Sequence, residues 1–189
     1  MATTKTAEPT RRDFIYVATG AMAAVGAAAV AWPLIDQMNP TTAVLALASI
    51  EVDLSSILPG QSTTHKFRGH PLFVRRRTPK EIAAAAAVDV ATLPDPLARN
   101  LNLPDNAPAT ADNRQIKAEW LVVSGVCTHL GCTPTASTPQ APEGDFGGWL
   151  CHCHGSMYDT AGRIRKGPAP QNLEVPVYSF LSPTRIKVG

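Results

Sequence analysis

All four cysteines of this chain fall in one window, at positions 127, 132, 151 and 153. Scattered core cysteines do not gather in this way, so the window is a metal site, a disulfide site or both. Histidines stand among them. Cys127-Thr128-His129-Leu130-Gly131-Cys132 forms one box and Cys151-His152-Cys153-His154-Gly155-Ser156 the other. Each box offers a thiolate and an imidazole, as Cys-x-His in the first and Cys-x-x-His in the second. Two Cys and two His serve either a tetrahedral zinc ion or an iron–sulfur cluster. Zinc ribbons usually present paired Cys-x-x-Cys loops, whereas here each loop mixes the two ligand types, which suits a cluster whose irons need different ligands. A structural zinc module without redox chemistry is the competing reading. His152 rivals His154, but it adjoins Cys151 directly and its ligation needs a different loop geometry. His65 and His70 lie far from both boxes in sequence and read as surface or structural residues.

The elements that must position these boxes are mostly strands. At 189 residues the chain has room for one domain with a core, plus an anchor or an insert. Seventeen prolines and thirteen glycines suggest a loop-rich β domain. A net charge of +2 gives no electrostatic case for nucleic acid. Stretches 50–54, 64–68, 71–77, 119–124, 175–180 and 185–188 read as strands, with turns at 58–60, near Gly69-His70 and at Ser182-Pro183. Segment 119–124 delivers the chain to Cys127. Arg75-Arg76-Arg77 reads as a solvated strand end. Thr78-Pro79-Lys80-Glu81 has the form of a capping box with proline at the first helical position, and the alanine run to Val90 completes a short helix. Segment 92–114 lacks a period and reads as a long surface insert.

Residues 14–35 carry no charge. About 22 residues at roughly 1.5 Å each span about 33 Å, enough for a hydrocarbon core of roughly 30 Å. A cleaved signal peptide is the alternative, with Ala29-Val30-Ala31 imitating a cleavage site. The length, Trp32 at an interfacial position and Pro33 closing the helix favour a retained anchor. Thr10-Arg11-Arg12-Asp13-Phe14-Ile15 resembles the bacterial twin-arginine export signal, and its arginines also satisfy the positive-inside rule. Either way the N-terminus lies in the cytoplasm. The expected organisation is a cytoplasmic segment 1–13, a single-pass anchor 14–38 in the bacterial inner membrane, a hinge or linker 39–49 and a periplasmic head 50–189.

The two boxes resemble those of Rieske iron–sulfur proteins, in which two Cys hold one iron and two His the other. The resemblance implies one [2Fe–2S] cluster with Cys127 and Cys151 on the inner iron and His129 and His154 on the outer. It also implies a Rieske-type antiparallel β head with one helical insert and a cluster-binding subdomain at about 125–172. The spare pair, Cys132 and Cys153, is similar to that of the quinol-oxidising branch, where it forms a disulfide between the cluster loops. Rieske ferredoxins and ring-hydroxylating oxygenases usually lack it. Gly155-Ser156-Met157-Tyr158 resembles the family's Gly-Ser-x-Tyr, which implies that Ser156 and Tyr158 donate hydrogen bonds toward cluster sulfurs. Gly167-Pro168-Ala169-Pro170 resembles the proline loop that covers the cluster. Phe146-Gly147-Gly148-Trp149 and residues 162–166 are similar to alphaproteobacterial members. Two positions depart: His152 stands where proline is usual, and Met157 where many relatives carry His.

By this resemblance the chain is the iron–sulfur subunit of a quinol–cytochrome c reductase, the cytochrome bc complex. It is expected to accept an electron with a proton from ubiquinol, pass the electron to a c-type cytochrome and contribute to proton translocation. His154 is the expected catalytic group facing the quinol, and His129, Leu130, Gly131 and Pro168 shape the surface docked on cytochrome b. The implied partners are cytochrome b, a c-type cytochrome and ubiquinol in a dimeric complex, with the head swinging on 39–49. The alternative is the Rieske subunit of a periplasmic molybdenum oxidase such as arsenite oxidase, which needs no quinol site.

Overall fold

The computed structural model describes residues 9–46 and 48–189. Residues 1–8 of the expected cytoplasmic segment and Leu47 of the expected linker lie outside the described residues. The chain divides after Leu45 into two compact units. In the first, helix α1 spans Arg11–Asp36. Thr10 caps it reciprocally: its Oγ1 accepts from the Asp13 amide, and the Asp13 carboxylate accepts from the Thr10 amide at 2.8 Å. The helix is 26 residues long, with a mean hydropathy of 1.9 over its most apolar window. It runs through Pro33 instead of closing there. Pro33 removes one bond from the ladder, but it sits in the last turn, and its carbonyl still accepts from the Gln37 amide at 3.0 Å. The short helix α2, Thr42–Ala46, follows in the stretch expected as linker.

The second unit is mostly β, with three antiparallel sheets. Strands β1 (Ile50–Asp53), β9 (Tyr178–Ser182) and β10 (Arg185–Val188) form one, in the order β1-β10-β9. Strands β2 (Ser62–Phe67), β3 (His70–Arg76) and β4 (Trp120–Ser124) form the second in sequence order. The third comprises β5 (Thr135–Ala136), β6 (Gly147–Cys151), β7 (Ser156–Asp159) and β8 (Ile164–Lys166). The β2–β3 turn falls on Arg68 and Gly69, at φ 48° and 84°, the left-handed pair that a tight hairpin requires. Leu72, Phe73 and Val74 of β3 and Leu121, Val122 and Val123 of β4 are all buried, so this sheet is covered on both faces. Phe73 stacks on Trp149 of β6 with ring centroids 5.7 Å apart, which joins the middle sheet to the sheet that carries the second cysteine box.

Helix α3, Pro79–Ala86, begins as the capping box predicts and ends short of Val90. Asp89 ends it by capping a separate turn of 3-10 helix, Val90–Thr92. Two expectations are overturned. The arginine triplet is not a solvated strand end, since Arg75 and Arg77 are buried. Arg75 pairs with Glu81 and donates to the Ser137 carbonyl, and Arg77 donates to that of Ala118. Nor is 92–114 wholly a surface insert: 101–108 holds no buried residue, but the stretches on either side are anchored inward. Leu93, Asp95, Ala98, Asn100, Ala109 and Arg114 within it are buried. Its regularity comes from side chain–backbone bonds. The Arg114 guanidinium donates to the carbonyls of Ala98, Ala161, Gly162 and Leu173, and its burial holds its pKa down to about 10.

Candidate metal centre

Strand β4 delivers the chain to the first box. Strand β6 ends on Cys151, and β7 leaves the second box from Ser156. The two loops are built alike. The Cys127 carbonyl accepts from the Gly131 amide, and that of Cys151 from the Gly155 amide, each at 2.9 Å. Gly131 and Gly155 have φ of 83° and 76°, and a Cβ on either would meet nothing within 4 Å. The left-handed backbone, not a shortage of room, calls for glycine at both. Each loop thus closes on itself and encloses three residues, His129 among one set and His154 among the other.

The structure brings the expected donors together in two pairs, the thiols and the imidazoles. Cys127 and Cys151 are buried free thiols, near enough to influence each other's ionisation. The His129 and His154 rings meet edge to face with centroids 4.7 Å apart. His154 is exposed and His129 half-buried. The Nδ1 of His129 is buried without a hydrogen-bond partner, an arrangement that costs free energy unless another group takes its lone pair. Two buried free thiols and, two residues from one of them, an imidazole nitrogen with no protein partner fit a mixed Cys/His iron–sulfur cluster. His152, in contrast, is exposed and sits 3.3 Å from the Glu143 carboxylate. Cys132 and Cys153 form a disulfide. Their sulfurs lie within 4.8 Å of that of Cys151, but bonded to each other they offer no thiolate to a metal.

Burial pushes the Cys127 thiol up in pKa, yet hydrogen bonds from Tyr158, the His129 amide, Cys151 and Ser156 outweigh it and bring it below its ordinary range. Burial and the neighbouring Cys127 push Cys151 up. Burial and Cys127 also raise the Tyr158 phenol far above its ordinary range, so it stays a donor. Its hydroxyl lies 3.4 Å from Cys127 Sγ and accepts from the Thr128 amide at 3.3 Å. The fully buried Ser156 accepts on Oγ from the Ala169 amide at 3.2 Å, which ties the proline loop to β7. At Gly167 a Cβ would fall 2.6 Å from Ser156 Cα, so only glycine lets that loop press so close. Leu130, 71% exposed, stands at the tip with exposed Gly131, and Pro168 is exposed on the proline loop. Sequence reasoning missed Thr128 and Gln171. The Thr128 hydroxyl donates to the Gln171 carbonyl at 2.7 Å and accepts from the Gln171 amide at 3.3 Å.

The description "Rieske [2Fe-2S] domain" matches residues 103–179. Residues 1–41 match "Ubiquitinol-cytochrome C reductase Fe-S subunit TAT signal", in agreement with the reading of Arg11-Arg12. The ubiquinol-cytochrome c reductase iron-sulfur subunit of Cereibacter sphaeroides is 53% identical over 182 residues, covering 95% of each chain. That of Rhodospirillum rubrum is 52% identical over 188 residues, covering 100% of this chain and 96% of its own. That of Blastochloris viridis is 51% identical over 190 residues, with 100% and 98% covered. The chain belongs to this family of iron–sulfur subunits. It carries one Rieske [2Fe–2S] cluster and is a component of an oxidoreductase complex. Helix α1 is long and apolar enough to cross a membrane.

Proposed function

We propose that this Rieske subunit takes one electron and one proton from ubiquinol at a site shared with cytochrome b, hands the electron to a c-type cytochrome, and so contributes to proton translocation. The observation that carries this reading is the contact between the two box imidazoles, one exposed and one with a buried, partnerless Nδ1, on the same two loops that carry the two buried thiols. Cys127 and Cys151 would hold one iron of the cluster, and His129 and His154 the other. When bound, the cluster supplies a one-electron acceptor that neutral imidazoles make easier to reduce than an all-cysteine centre; the range recorded for such centres is about −150 to +300 mV, against about −400 mV for plant-type ferredoxins. Tyr158 and Ser156 stabilise negative charge on the sulfurs by donating toward them. His154, the more exposed imidazole, orients the quinol hydroxyl and takes its proton. His129, Leu130, Gly131 and Pro168 form the surface that meets cytochrome b.

In this reading residues 1–13 stay in the cytoplasm and 14–38 cross the inner membrane once. The head, 50–189, with its cluster-binding subdomain at about 125–172, works in the periplasm within a dimeric complex. Residues 39–49 act as the hinge between two electron partners, with motions on a microsecond-to-millisecond scale. Lengthening or stiffening this segment slows steady-state turnover while leaving the cluster's EPR spectrum intact. Turnover at the wild-type rate would remove the hinge. The molybdenum-oxidase alternative draws no support from relatives that carry the reductase name along nearly their whole length.

The test is low-temperature EPR of reduced membranes, with and without a quinol-site inhibitor. The expected signal is that of mixed His/Cys ligation, displaced by the inhibitor. A signal indifferent to every such inhibitor overturns the quinol site, and the absence of that signal overturns the ligand assignment.

A further inference from the structure

The segment 92–114 reaches the cluster loops through one buried side chain. Asn172 is 1% exposed and follows directly on the proline loop and Gln171. Its Nδ2 donates to the carbonyls of Asp95 and Leu97, at 3.0 and 2.7 Å, and its Oδ1 accepts from the Ile164 amide at 2.8 Å. Its own amide donates to Asp95 Oδ2 at 2.9 Å. Asp95 is itself buried, and its Oδ2 also accepts from Arg99 Nε at 3.0 Å. A buried amide and a buried carboxylate tied in this way hold one arrangement, because any other leaves buried polar groups unpaired.

Gln171, the residue before, is where this rigidity meets the site. Its carbonyl takes the Thr128 hydroxyl proton, so toward Tyr158, 3.4 Å away, Thr128 Oγ1 can only accept. The same Thr128 oxygen already accepts from the Gln171 amide. The Tyr158 oxygen takes the Thr128 amide, which leaves its proton to choose between Cys127 Sγ and the already engaged Thr128 Oγ1. If Gln171 moves, its amide no longer occupies Thr128 Oγ1, and that oxygen becomes the stronger competitor for the Tyr158 proton.

We propose that Asn172, clamped by Asp95, is a positioning residue for the Tyr158–Cys127 hydrogen bond, acting through Gln171 and Thr128, so that segment 92–114 tunes the cluster's redox potential. The proposal rests on the reading of Cys127 as a cluster ligand. Asn172→Leu keeps the approximate volume and removes every side-chain hydrogen bond; Asp95→Asn is the milder variant. In membranes holding the assembled complex, redox titration of the EPR signal is expected to show a midpoint lowered in Asn172→Leu, and lowered less in Asp95→Asn. In a Tyr158→Phe background the Asn172→Leu shift shrinks to less than half, a non-additivity that a merely structural role does not produce. If Asn172→Leu fails to assemble, Asp95→Asn alone and with Tyr158→Phe decides. Wild-type midpoints, or a shift undiminished by Tyr158→Phe, overturn the proposal. Cys127→Ser separates the two readings, since a cluster retained there overturns the ligand assignment whatever Asn172 does.

Discussion

Replacing Cys127 by serine is expected to leave the chain without its cluster: the visible absorption and the EPR signal disappear, and iron falls to background. Cys127 is buried, and the hydroxyl of Tyr158, the amide of His129 and the neighbouring Cys151 and Ser156 bring its thiol below the ordinary range despite burial. Among the described residues it is one of two free cysteines. The thiolate is the metal ligand, and a serine hydroxyl in the same place stays protonated and does not replace it. The contrast is Cys153→Ser, which opens the disulfide but leaves both free thiols and both tip imidazoles. That bridge closes a loop with a sequence separation of 21. Its removal is expected to cost roughly 3 kcal/mol by loop-closure entropy and to loosen the cluster rather than prevent its assembly. Iron content and EPR of the two variants decide between these roles. A Cys127→Ser chain with full iron and an unaltered spectrum would mean the ligand set lies elsewhere, and equal losses in both would mean that loop order, not ligation, holds the cluster.

The parts legible in the sequence are those in which chemistry or local geometry dictates residue type. Thiolates and imidazoles at fixed spacing announce a metal site, and Thr78, Pro79 and Glu81 announce a helix start, because a cap needs those groups at those offsets. The left-handed glycines of the two loops belong to the same class. What could not be read is what depends on which face is covered. Arg75-Arg76-Arg77 has the composition of a wet strand end, but Glu81 and the carbonyls of Ser137 and Ala118 close over its first and last members. Segment 92–114 shows no apolar period because arginine, asparagine and aspartate fasten it to backbone groups. A carbonyl that accepts from Arg114 leaves no partner residue type for a pattern to find. The link between Thr128 and Gln171, 43 positions apart, is hidden for the same reason.

Arg163→Met is the other substitution expected to have a large effect, and it acts on stability rather than ligation. Arg163 is fully buried, its Nε donating to Asp159 Oδ2 at 2.8 Å. Its remaining nitrogens donate to the carbonyls of Ala109, at 3.1 Å, and Ala85, at 2.7 Å. One side chain therefore joins β7, helix α3 and the segment 92–114. Methionine fills much of the volume but takes from the buried Asp159 carboxylate its direct cationic partner, leaving Arg165 at 3.7 Å and the more distant field of Arg77 and Arg114, and it strands two carbonyls. Breaking a buried pair from one side costs about 3–5 kcal/mol, a large share of the roughly 5–15 kcal/mol that holds a domain folded. For a chain of this size that corresponds to a fall in Tm of roughly 6–20 °C, read as thermal loss of the cluster's visible circular dichroism. The double variant Arg163→Met/Asp159→Asn is expected to recover part of the loss, because the harm lies in the stranded charge more than in the missing contact. A single variant within about 1 kcal/mol of wild type would show that water reaches Asp159 and that the buried pair does not hold segment 92–114 against the cluster-bearing sheet.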